Sequence, residues 1–389
     1  MINFDPEFSG WLSEVRRDFH MYPELSNQEF RTTEKIFSIL KEIGIQFQAL
    51  PDSTGAVALI KGDLHGPTIG LRADIDALPI KELNSVPYCS CVDNMMHACG
   101  HDANVTIMLG VAKIIIEKKI YKNLKGNIKF LFQPAEEEIN GADRMIAQGV
   151  LENPEVDRII AGHMEPNLDV GTIGVFRRYG YAAADRFKLT ISGKGGHAGR
   201  PHETIDPIVC GAHFITAIQT IVSRNVNPIE SAVISVGKFQ AGDVGNVIPE
   251  KALLEGTVRT HSDQIRDMVF ERLNAIIEGL QKQFNVRCRF EIISETPSCN
   301  CDKEVNDFMF HNASKVLGNE NVKWIPPTMG SEDFAFFTKK KPASIIRLGC
   351  RNREKNIKAP LHSPFFDIDE KVLEYGVKVF CQAVVSYLS

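Results

Sequence analysis

The sequence predicts an α/β protein whose main sheet is mostly parallel and whose chain is interrupted by a smaller α+β domain. Three observations support this fold class. Continuous apolar segments, typical of buried parallel strands, alternate with helical segments in the first part of the chain. A later stretch has the segment order β-α-β-β-α-β. Apolar strand-like segments and helical segments then alternate again, as expected if the smaller domain is an insertion.

The first part of the chain begins with two helices and continues as alternating strands and helices. Residues 7–22 and 26–43 have apolar side chains at helical spacing, and Pro23 separates them. Further helices are predicted at 103–118 and 141–150. The predicted strands are AVALIKG (56–62), TIGLRADI (68–75), NIKFLFQ (127–133), RIIAGHM (158–164) and, much later, SIIRLG (344–349).

The inserted domain is predicted to cover residues 179–293, which leaves a discontinuous domain of 1–178 and 294–389. Its strand-like segments are RFKLTISG, AVISVGKFQAG, KALLEGTVRTH and NVRCRFEII. Its helical segments are DPIVCGAHFITAIQTIVSR and the amphipathic SDQIRDMVFERLNAIIEGLQKQF, for which Ser262 is an N-cap candidate. This order is typical of a ferredoxin-like sandwich.

Composition excludes several classes of protein. A chain of 389 residues favours two domains, and 43% hydrophobic residues suffice for a core. A net charge of −5 argues against a nucleic-acid partner. No apolar run approaches the ~18 residues needed to cross a bilayer, and the N-terminus lacks the pattern of a secretory signal. Nine cysteines, an odd number in a long chain, do not indicate a disulfide framework, so we expect a cytoplasmic protein without a membrane partner.

The segment HACGHD concentrates reactive side chains just before the helix predicted at 103–118. Cys99 and His101 flank Gly100, and side chains two positions apart point the same way if this loop is extended. Thiolate and imidazole are common zinc ligands. The pair alone is a weak signal, since buried polar side chains with no metal are the alternative.

The segment PAEEE follows the predicted strand 127–133 directly. Ligands of open α/β sheets gather at the carboxyl ends of strands, where Glu136 and Glu137 are expected. Adjacent side chains cannot easily perform the same task, so one carboxylate could bind a metal while its neighbour moves a proton. The alternative is a solvated acidic helix start.

Two further histidines fall at or beyond strand ends. His163 ends the strand RIIAGHM, and His362 lies in the Pro-flanked loop APLHSP after SIIRLG. Each is a weak signal alone, but their coincidence with the other donors favours two metals bridged by one anion. The donors are Cys99, His101, Glu137, His163 and His362. A competing hypothesis is a structural zinc site formed by Cys89, Cys91, Cys299 and Cys301, although C-x-C spacing is unusual for zinc.

An ordered set of motifs resembles the M20 family of metallopeptidases, in its amidohydrolase branch. That branch includes hippurate hydrolases, auxin-conjugate hydrolases, N-acyl-amino-acid amidohydrolases and N-acetyl-diaminopimelate deacetylases. The resemblance runs from residue 16 nearly to the C-terminus. The motifs are LRADIDALPI, MMHACGHDANVT, FLFQPAEEEINGADRMI, ISGKGGHAGRPH, TIDP, GNVIPEKALLEGTVRT, MGSEDFAFF and LHSPFFDIDEKVL.

The resemblance implies roles for particular residues. The five donors become the ligands of two divalent ions, for which Zn²⁺, Mn²⁺, Co²⁺ and Ni²⁺ are all compatible. Glu136 becomes the general acid/base, and Asp74 orients a ligand. His197 matches a histidine of the lid that reaches into the partner subunit's active site, and Asn246 and Arg259 match residues that hold a substrate carboxylate. One departure is Asn104, where related sequences usually have histidine.

The resemblance therefore implies a metal-dependent hydrolase that cleaves the amide bond of small N-acyl amino acids. The inserted domain would serve as a lid and would form a homodimer. A dipeptidase or carboxypeptidase of the same family is the alternative enzyme. A binding protein that has lost catalysis is the alternative from another class, but the intact ligand set and Glu136 argue against it.

Overall fold

The computed structural model describes residues 4–389. The strands are β1 (Gln46–Ala49), β2 (Ala56–Lys61), β3 (Leu64–Asp74), β4 (Lys125–Gln133), β5 (Arg158–Asp169), β6 (Ile173–Phe176), β7 (Tyr179–Tyr181), β8 (Ala183–Ser192), β9 (Gly196–His197), β10 (Ala232–Ala241), β11 (Val247–Ile248), β12 (Lys251–Thr260), β13 (Arg287–Thr296), β14 (Cys299–Asn300), β15 (Val322–Ile325) and β16 (Ala343–Arg351). The α-helices are α1 (Pro6–Met21), α2 (Phe30–Ile43), α3 (His101–Glu117), α4 (Gly141–Ala147), α5 (Pro207–Thr220), α6 (Asp263–Phe284), α7 (Lys303–Leu317), α8 (Ala335–Thr338) and α9 (Lys371–Leu388).

The chain divides into two compact units. Unit 1 comprises the chain up to Gly180 together with Cys301–Pro326 and Glu332–Ser389. Unit 2 comprises Tyr181–Asn300 and Pro327–Ser331. None of the helices within residues 4–389 is long and apolar enough to span a bilayer.

Unit 1 contains an eight-stranded sheet in the order β1-β2-β4-β3-β5-β16-β6-β15. The sheet is mixed, and four of its seven neighbouring pairs are parallel, including the pair of β6 with β15. Strands β4, β3, β5 and β16 are parallel neighbours. Strands β1 and β2, and the pair β2–β4, are antiparallel. A short turn after β5 reverses the chain into β6, so β6 is antiparallel to β16, which runs parallel to β5.

Helices α1, α3 and α9 pack together over one face of this sheet. Helix α3 is buried on nearly every side, which fits its mostly apolar sequence. Gly110 in α3 lets the helices approach closely, because an added Cβ would lie 2.7 Å from Leu12 and 2.8 Å from Val377. The core of unit 1 therefore holds the N-terminus of α3 in a fixed place.

The parallel strands bring several polar side chains to one edge of the sheet. Asp74 at the end of β3 is in register with Gln133 at the end of β4. In β5, His163 lies two residues beyond Ala161, which pairs with Arg72 of β3. Strand ends and the start of α3 thus meet at the carboxyl edge, where open α/β sheets bind ligands.

Unit 2 contains a four-stranded antiparallel sheet in the order β10-β12-β8-β13. Along the chain its main elements follow the order β8-α5-β10-β12-α6-β13. Helices α5 and α6 cover one face and enclose an apolar core, which includes Phe187, Leu189, Phe214, Leu254 and Leu273. The short strands β9 and β11 form a separate antiparallel pair.

Candidate functional site

Five side chains of metal-binding types converge at the carboxyl edge of the unit 1 sheet. The Sγ atom of Cys99 lies 3.4 Å from Nε2 of His163. Oε1 of Glu137 lies 3.9 Å from Nε2 of His101 and 3.6 Å from Nε2 of His362. The structure therefore brings together all five donors that the sequence predicted, with Glu137 between two histidines.

Two of these donors, Cys99 and His101, are separated by Gly100, whose backbone conformation determines the path of the chain between them. Gly100 has φ +81°, a left-handed conformation that favours glycine, and an added Cβ would lie 2.5 Å from Cγ of Met164. Helix α3 begins immediately afterwards at His101. His362 also has a left-handed backbone, and its amide donates a 2.9 Å hydrogen bond to the carbonyl of Ala98. The loop containing His362 is thereby joined to the segment that bears Cys99.

The ring of His101 is oriented by Asp76. Its Nδ1 lies 2.9 Å from the carbonyl oxygen of Asp76 and 3.2 Å from Oδ1 of the same residue. A carbonyl oxygen only accepts, so Nδ1 carries a proton, and Nε2 is the ring nitrogen that faces Glu137. Asp76 is held in turn by the hydroxyl of Ser26 at 2.7 Å and by the amide of Glu137 at 3.0 Å.

His163 is fixed in the same tautomer by its own strand. Its Nδ1 lies 2.9 Å from the carbonyl oxygen of Met164, so the lone pair of Nε2 points towards Cys99. Burial and the nearby charge of Arg347 hold the pKa of His163 well below its usual range. A buried neutral imidazole of this kind is suited to bind a metal ion.

Two atoms at the centre of the cluster are buried without a hydrogen-bond partner. They are Nε2 of His101 and Oε1 of Glu137. Leaving buried polar atoms unsatisfied is costly, and a bound cation would satisfy both. Within residues 4–389, the groups whose donor atoms lie within 4.8 Å of one another include Cys99 with His101 and His163, Cys99 with Glu137 and His362, and His101 with Glu136 and Glu137. The residues therefore fit divalent ions held by sulfur, nitrogen and oxygen.

Glu136 and Glu137 occupy different environments although they are adjacent. Burial and the neighbouring carboxylates of Glu332 and Glu137 raise the pKa of Glu136 well above its ordinary value. Burial also raises the pKa of Glu137, to about 7, although the charge of His101 opposes this rise. Oε2 of Glu136 lies 4.0 Å from Nε2 of His101. Glu136 is thus a buried carboxyl group beside the donor cluster, as a proton-transferring group must be.

Asp74 accepts hydrogen bonds from two sides. Nη1 of Arg72 donates to Oδ2, and Nδ2 of Asn104 donates to Oδ1, each at 2.7 Å. Oδ2 also lies 3.7 Å from Nε2 of His101. Burial works to raise the pKa of Asp74, but the charges of His101 and Arg72 outweigh it and lower the pKa to about 2. Asn104 supplies the hydrogen-bond donor at the position where related sequences usually have histidine.

Several buried side chains that surround this cluster were not predicted as site residues. Arg72 donates from Nη2 to both Glu332 and Asp333 at 2.9 Å, and it is completely buried. Gln133 donates to both carboxylate oxygens of Asp333 at 2.8 Å. Consecutive acidic residues in the apolar segment MGSEDFAFF were the only signal for this arrangement, because their partner Arg72 lies 260 residues earlier along the chain.

Unit 2 contains the three remaining predicted site residues. His197 is exposed, and its Nδ1 accepts a 2.9 Å hydrogen bond from the amide of Gly199, so Nε2 carries the proton. Asn246 lies beside it, because its carbonyl accepts from the amide of Ala198 at 3.0 Å. Arg259 is half-buried in β12, and burial lowers its pKa.

The four cysteines of the competing zinc hypothesis occur in different surroundings. Cys91 is exposed and Cys89 is half-buried, whereas Cys299 and Cys301 are buried. The donor groups found among residues 4–389 include none of these four. The donor cluster around Glu137 is therefore the better-supported metal centre.

Comparison with known proteins identifies relatives over nearly the whole chain. The model of Peptidase family M20/M25/M40 matches residues 70–386. N-acetylcysteine deacetylase of Bacillus subtilis (strain 168) is 39% identical, covering 99% of this chain and 98% of the relative. N-acetyldiaminopimelate deacetylase of Lactococcus lactis subsp. cremoris (strain SK11) is 36% identical, covering 95% and 97%.

A solved structure shows the same fold. It is a Bacillus subtilis protein described as a dinuclear metal binding peptidase from the M20 family. It superposes with a TM-score of 0.85 at 36% sequence identity, and the match covers 99% of each chain.

Proposed function

The chain belongs to Peptidase family M20/M25/M40, and from this membership we propose that it hydrolyses the amide bond of N-acyl amino acids with two bound divalent metal ions. The names of the two deacetylases support this reaction, since both describe removal of an acyl group from an amino acid. One observation carries the proposal. Five donors from distant parts of the chain converge beside Glu136, a buried carboxyl group with a raised pKa.

The proposed metal ligands are Cys99, His101, Glu137, His163 and His362. The unsatisfied atoms of His101 and Glu137 support this assignment, as does the description of the Bacillus subtilis structure as a dinuclear metal binding peptidase. Divalent ions held by these residues would supply Lewis-acid chemistry, that is, a lowered pKa of a water molecule and polarisation of the substrate carbonyl. The identity of the metal stays open between Zn²⁺, Mn²⁺, Co²⁺ and Ni²⁺, because these donors suit all four.

Glu136 is the proposed general acid/base. Its ionised form takes a proton from the attacking water, and its protonated form then delivers that proton to the departing amine. Burial and nearby carboxylates raise its pKa, which favours the protonated form that the departing amine requires. Asp74 does not move a proton in this scheme. Held by Arg72 and Asn104, it lies 3.7 Å from Nε2 of His101, so its proposed role in orienting this ligand is electrostatic, while Asp76 makes the hydrogen bond to the ring.

Unit 2 is proposed to supply substrate contacts. His197 has its proton on Nε2, which allows it to donate a hydrogen bond to the oxyanion of the transition state. Arg259 offers a planar guanidinium, and with Asn246 it would hold the carboxylate of the amino acid. None of the hydrogen bonds and ion pairs within residues 4–389 engages the guanidinium of Arg259.

The domain arrangement predicted from the sequence remains part of this proposal. An inserted lid and dimerisation domain at 179–293, within a catalytic domain of 1–178 and 294–389, is supported by the division into two compact units. We also propose a homodimer in which His197 acts on the partner's active site. Light scattering that gave a monomer would argue against this trans-acting role. A cytoplasmic location likewise stays a prediction.

A substrate panel tests the proposed reaction. Purified protein is stripped of metal with a chelator, reloaded with each of the four metals, and assayed with N-acetyl amino acids, N-benzoyl amino acids and dipeptides. We expect release of free amino acid from the N-acyl substrates, loss of that activity in the stripped protein and its return on reloading. Faster cleavage of dipeptides would instead identify a dipeptidase or carboxypeptidase. Absence of turnover with every substrate would favour a binding protein.

A further inference from the structure

Helices α5 and α6 pack on one face of the unit 2 sheet, and we call the other face, on which neither of them packs, the open face. Inward side chains such as Phe187 and Val258 pack in the core with α5 and α6, so their neighbours along β8 and β12, including Arg186 and Thr257, point to the open face. Strand register places the open-face residues in rows across the four strands. One row consists of Ser235, Thr257, Arg186 and Ser294.

Arg186 differs from the charged residues of the neighbouring row. That row reads Lys238, Glu255, Lys188 and Glu291, so its charges alternate in sign across the sheet. Lys238 and Glu255 form an ion pair of 3.2 Å. Arg186 instead has hydroxyl-bearing residues as its cross-strand neighbours. Its guanidinium takes part in none of the hydrogen bonds or ion pairs within the described part of the chain.

A cavity of about 240 Å³ opens on this face beside Arg186. Its lining includes Arg186, Ser235, Lys238 and Thr257, and Gly237 contributes no side chain to fill it. A free guanidinium and two hydroxyl groups around a cavity form a set of hydrogen-bond donors suited to a small oxyanion. Among residues 4–389, the one carboxylate that lines the cavity belongs to Glu255, which is already paired with Lys238.

Arg259, which is proposed to hold the substrate carboxylate, lies close to Arg186, so the substrate itself could supply the anion. Arg259 lies on the same face in the row next to Arg186, because it pairs with Ala184 while Thr257 pairs with Arg186. Residues related in this diagonal way have Cβ atoms about 7–8 Å apart, within reach of two long side chains. Two arginines that have no hydrogen-bond or ion-pair partner among the described residues are therefore diagonal neighbours on the open face.

We propose that the cavity at Arg186 is a carboxylate-binding subsite, adjacent to the site at which Arg259 holds the amino-acid carboxylate. Its occupant is either a second carboxylate on the substrate side chain or a free small oxyanion. The first source rests on the proposed function, since it makes N-acyl derivatives of acidic amino acids the preferred substrates. The second source depends only on the donors around the cavity.

The first source is tested with two substrates of the same shape, N-acetyl-L-glutamate and N-acetyl-L-glutamine. Arg186→Gln is expected to lower kcat/KM for the glutamate substrate about tenfold, the effect of losing one charge-assisted hydrogen bond, and to change the glutamine substrate less than twofold. Lys188→Gln is the matched control on the same face and should leave the ratio of the two substrates unchanged. An equal effect of Arg186→Gln on both substrates excludes a substrate carboxylate as the occupant.

The second source is tested by measuring equilibrium binding of inorganic phosphate. Binding is monitored by phosphorus NMR for the wild-type protein, Arg186→Gln and Lys188→Gln. Phosphate binding that is lost in Arg186→Gln and kept in Lys188→Gln supports the subsite even if no N-acyl amino acid is hydrolysed. That combination of results would contradict the proposed function and support the oxyanion subsite. Unchanged phosphate binding in Arg186→Gln, together with unchanged discrimination between the two substrates, overturns the subsite itself.

Discussion

Replacing Glu136 with glutamine should strongly lower kcat and at the same time stabilise the metal-free protein. The side chain is 9% exposed and lies within 4.8 Å of the carboxylates of Glu332 and Asp333. Burial and these negative charges raise its pKa well above 4.5. Glutamine has the shape of the protonated carboxyl group and cannot ionise, so it keeps the contacts and removes the charge.

The magnitude of the stability change follows from proton linkage. A carboxyl group whose pKa is raised in the folded protein favours folding below its unfolded pKa of 4.5, and this advantage is lost as the pH rises towards the folded value. At pH 7 the cost is at most about 3 kcal/mol, because 1.36 kcal/mol corresponds to one pH unit. The Glu136→Gln variant avoids this cost. Its advantage should shrink to nothing near pH 4.

The activity change has the opposite sign. Loss of a general acid/base lowers kcat by about 10² to 10⁴. Metal content should not change, because Glu136 is not among the five proposed ligands. Glu138→Gln is the matched control, since Glu138 is the exposed third glutamate of the same segment and accepts a hydrogen bond from Asn27.

Three measurements on each variant test the acid/base role and the stability effect of Glu136. They are kcat with an N-acyl amino acid, metal content by mass spectrometry, and urea denaturation of the metal-free protein at about pH 7 and pH 4. Near-wild-type kcat in Glu136→Gln would refute the acid/base role. A destabilised metal-free variant at neutral pH would refute the argument that Glu136 is held under repulsion from other carboxylates.

Three further predictions concern residues around the site. Cys99→Ala should lose bound metal together with activity, and full metal occupancy in that variant would reject the thiolate as a ligand. Arg72→Met should lower the free energy of unfolding by about 3–5 kcal/mol, because it leaves Asp74, Glu332 and Asp333 buried without their cation; a loss below 1 kcal/mol in urea denaturation would contradict this. Burial works to raise the pKa of Glu82, but its hydrogen bonds to His20 and Ser90 outweigh burial and lower the pKa to about 2. The ionised carboxylate therefore stabilises the fold above pH 4.5, and this stabilisation is lost as the pH falls towards 2. The difference in unfolding free energy between wild type and Glu82→Gln should therefore be largest, up to about 3 kcal/mol, near pH 6 and should shrink by about pH 3; a difference independent of pH would be contrary to this account.

The buried strands of unit 1 could be predicted from the sequence because their apolar runs are continuous. The segment predicted at 56–62 is strand β2 (Ala56–Lys61), and the one predicted at 158–164 is the first part of β5. Strand β1, with the sequence QFQA, was not predicted, since all four residues are exposed at the sheet edge and have no apolar pattern. The order and direction of the strands could not be predicted from the sequence, because tertiary contacts decide which strand a short segment such as β6 pairs with.

The donor cluster could be predicted because it combines specific residue types with strand ends. Cys99, His163 and His362 are brought together although up to 263 positions separate them in sequence. The supporting shell could not be predicted in the same way. Arg72 and Asp333 look like ordinary charged residues in the sequence, and only the folded chain shows that both are buried and paired.

Crystallographic diffraction at the absorption edge of the metal that restores activity tests the central claim most directly. We expect two anomalous peaks, each within bonding distance of at least two of the side chains of Cys99, His101, Glu137, His163 and His362. A single peak at another place, or none in fully active crystals, would contradict the assignment of these five residues as the catalytic metal ligands.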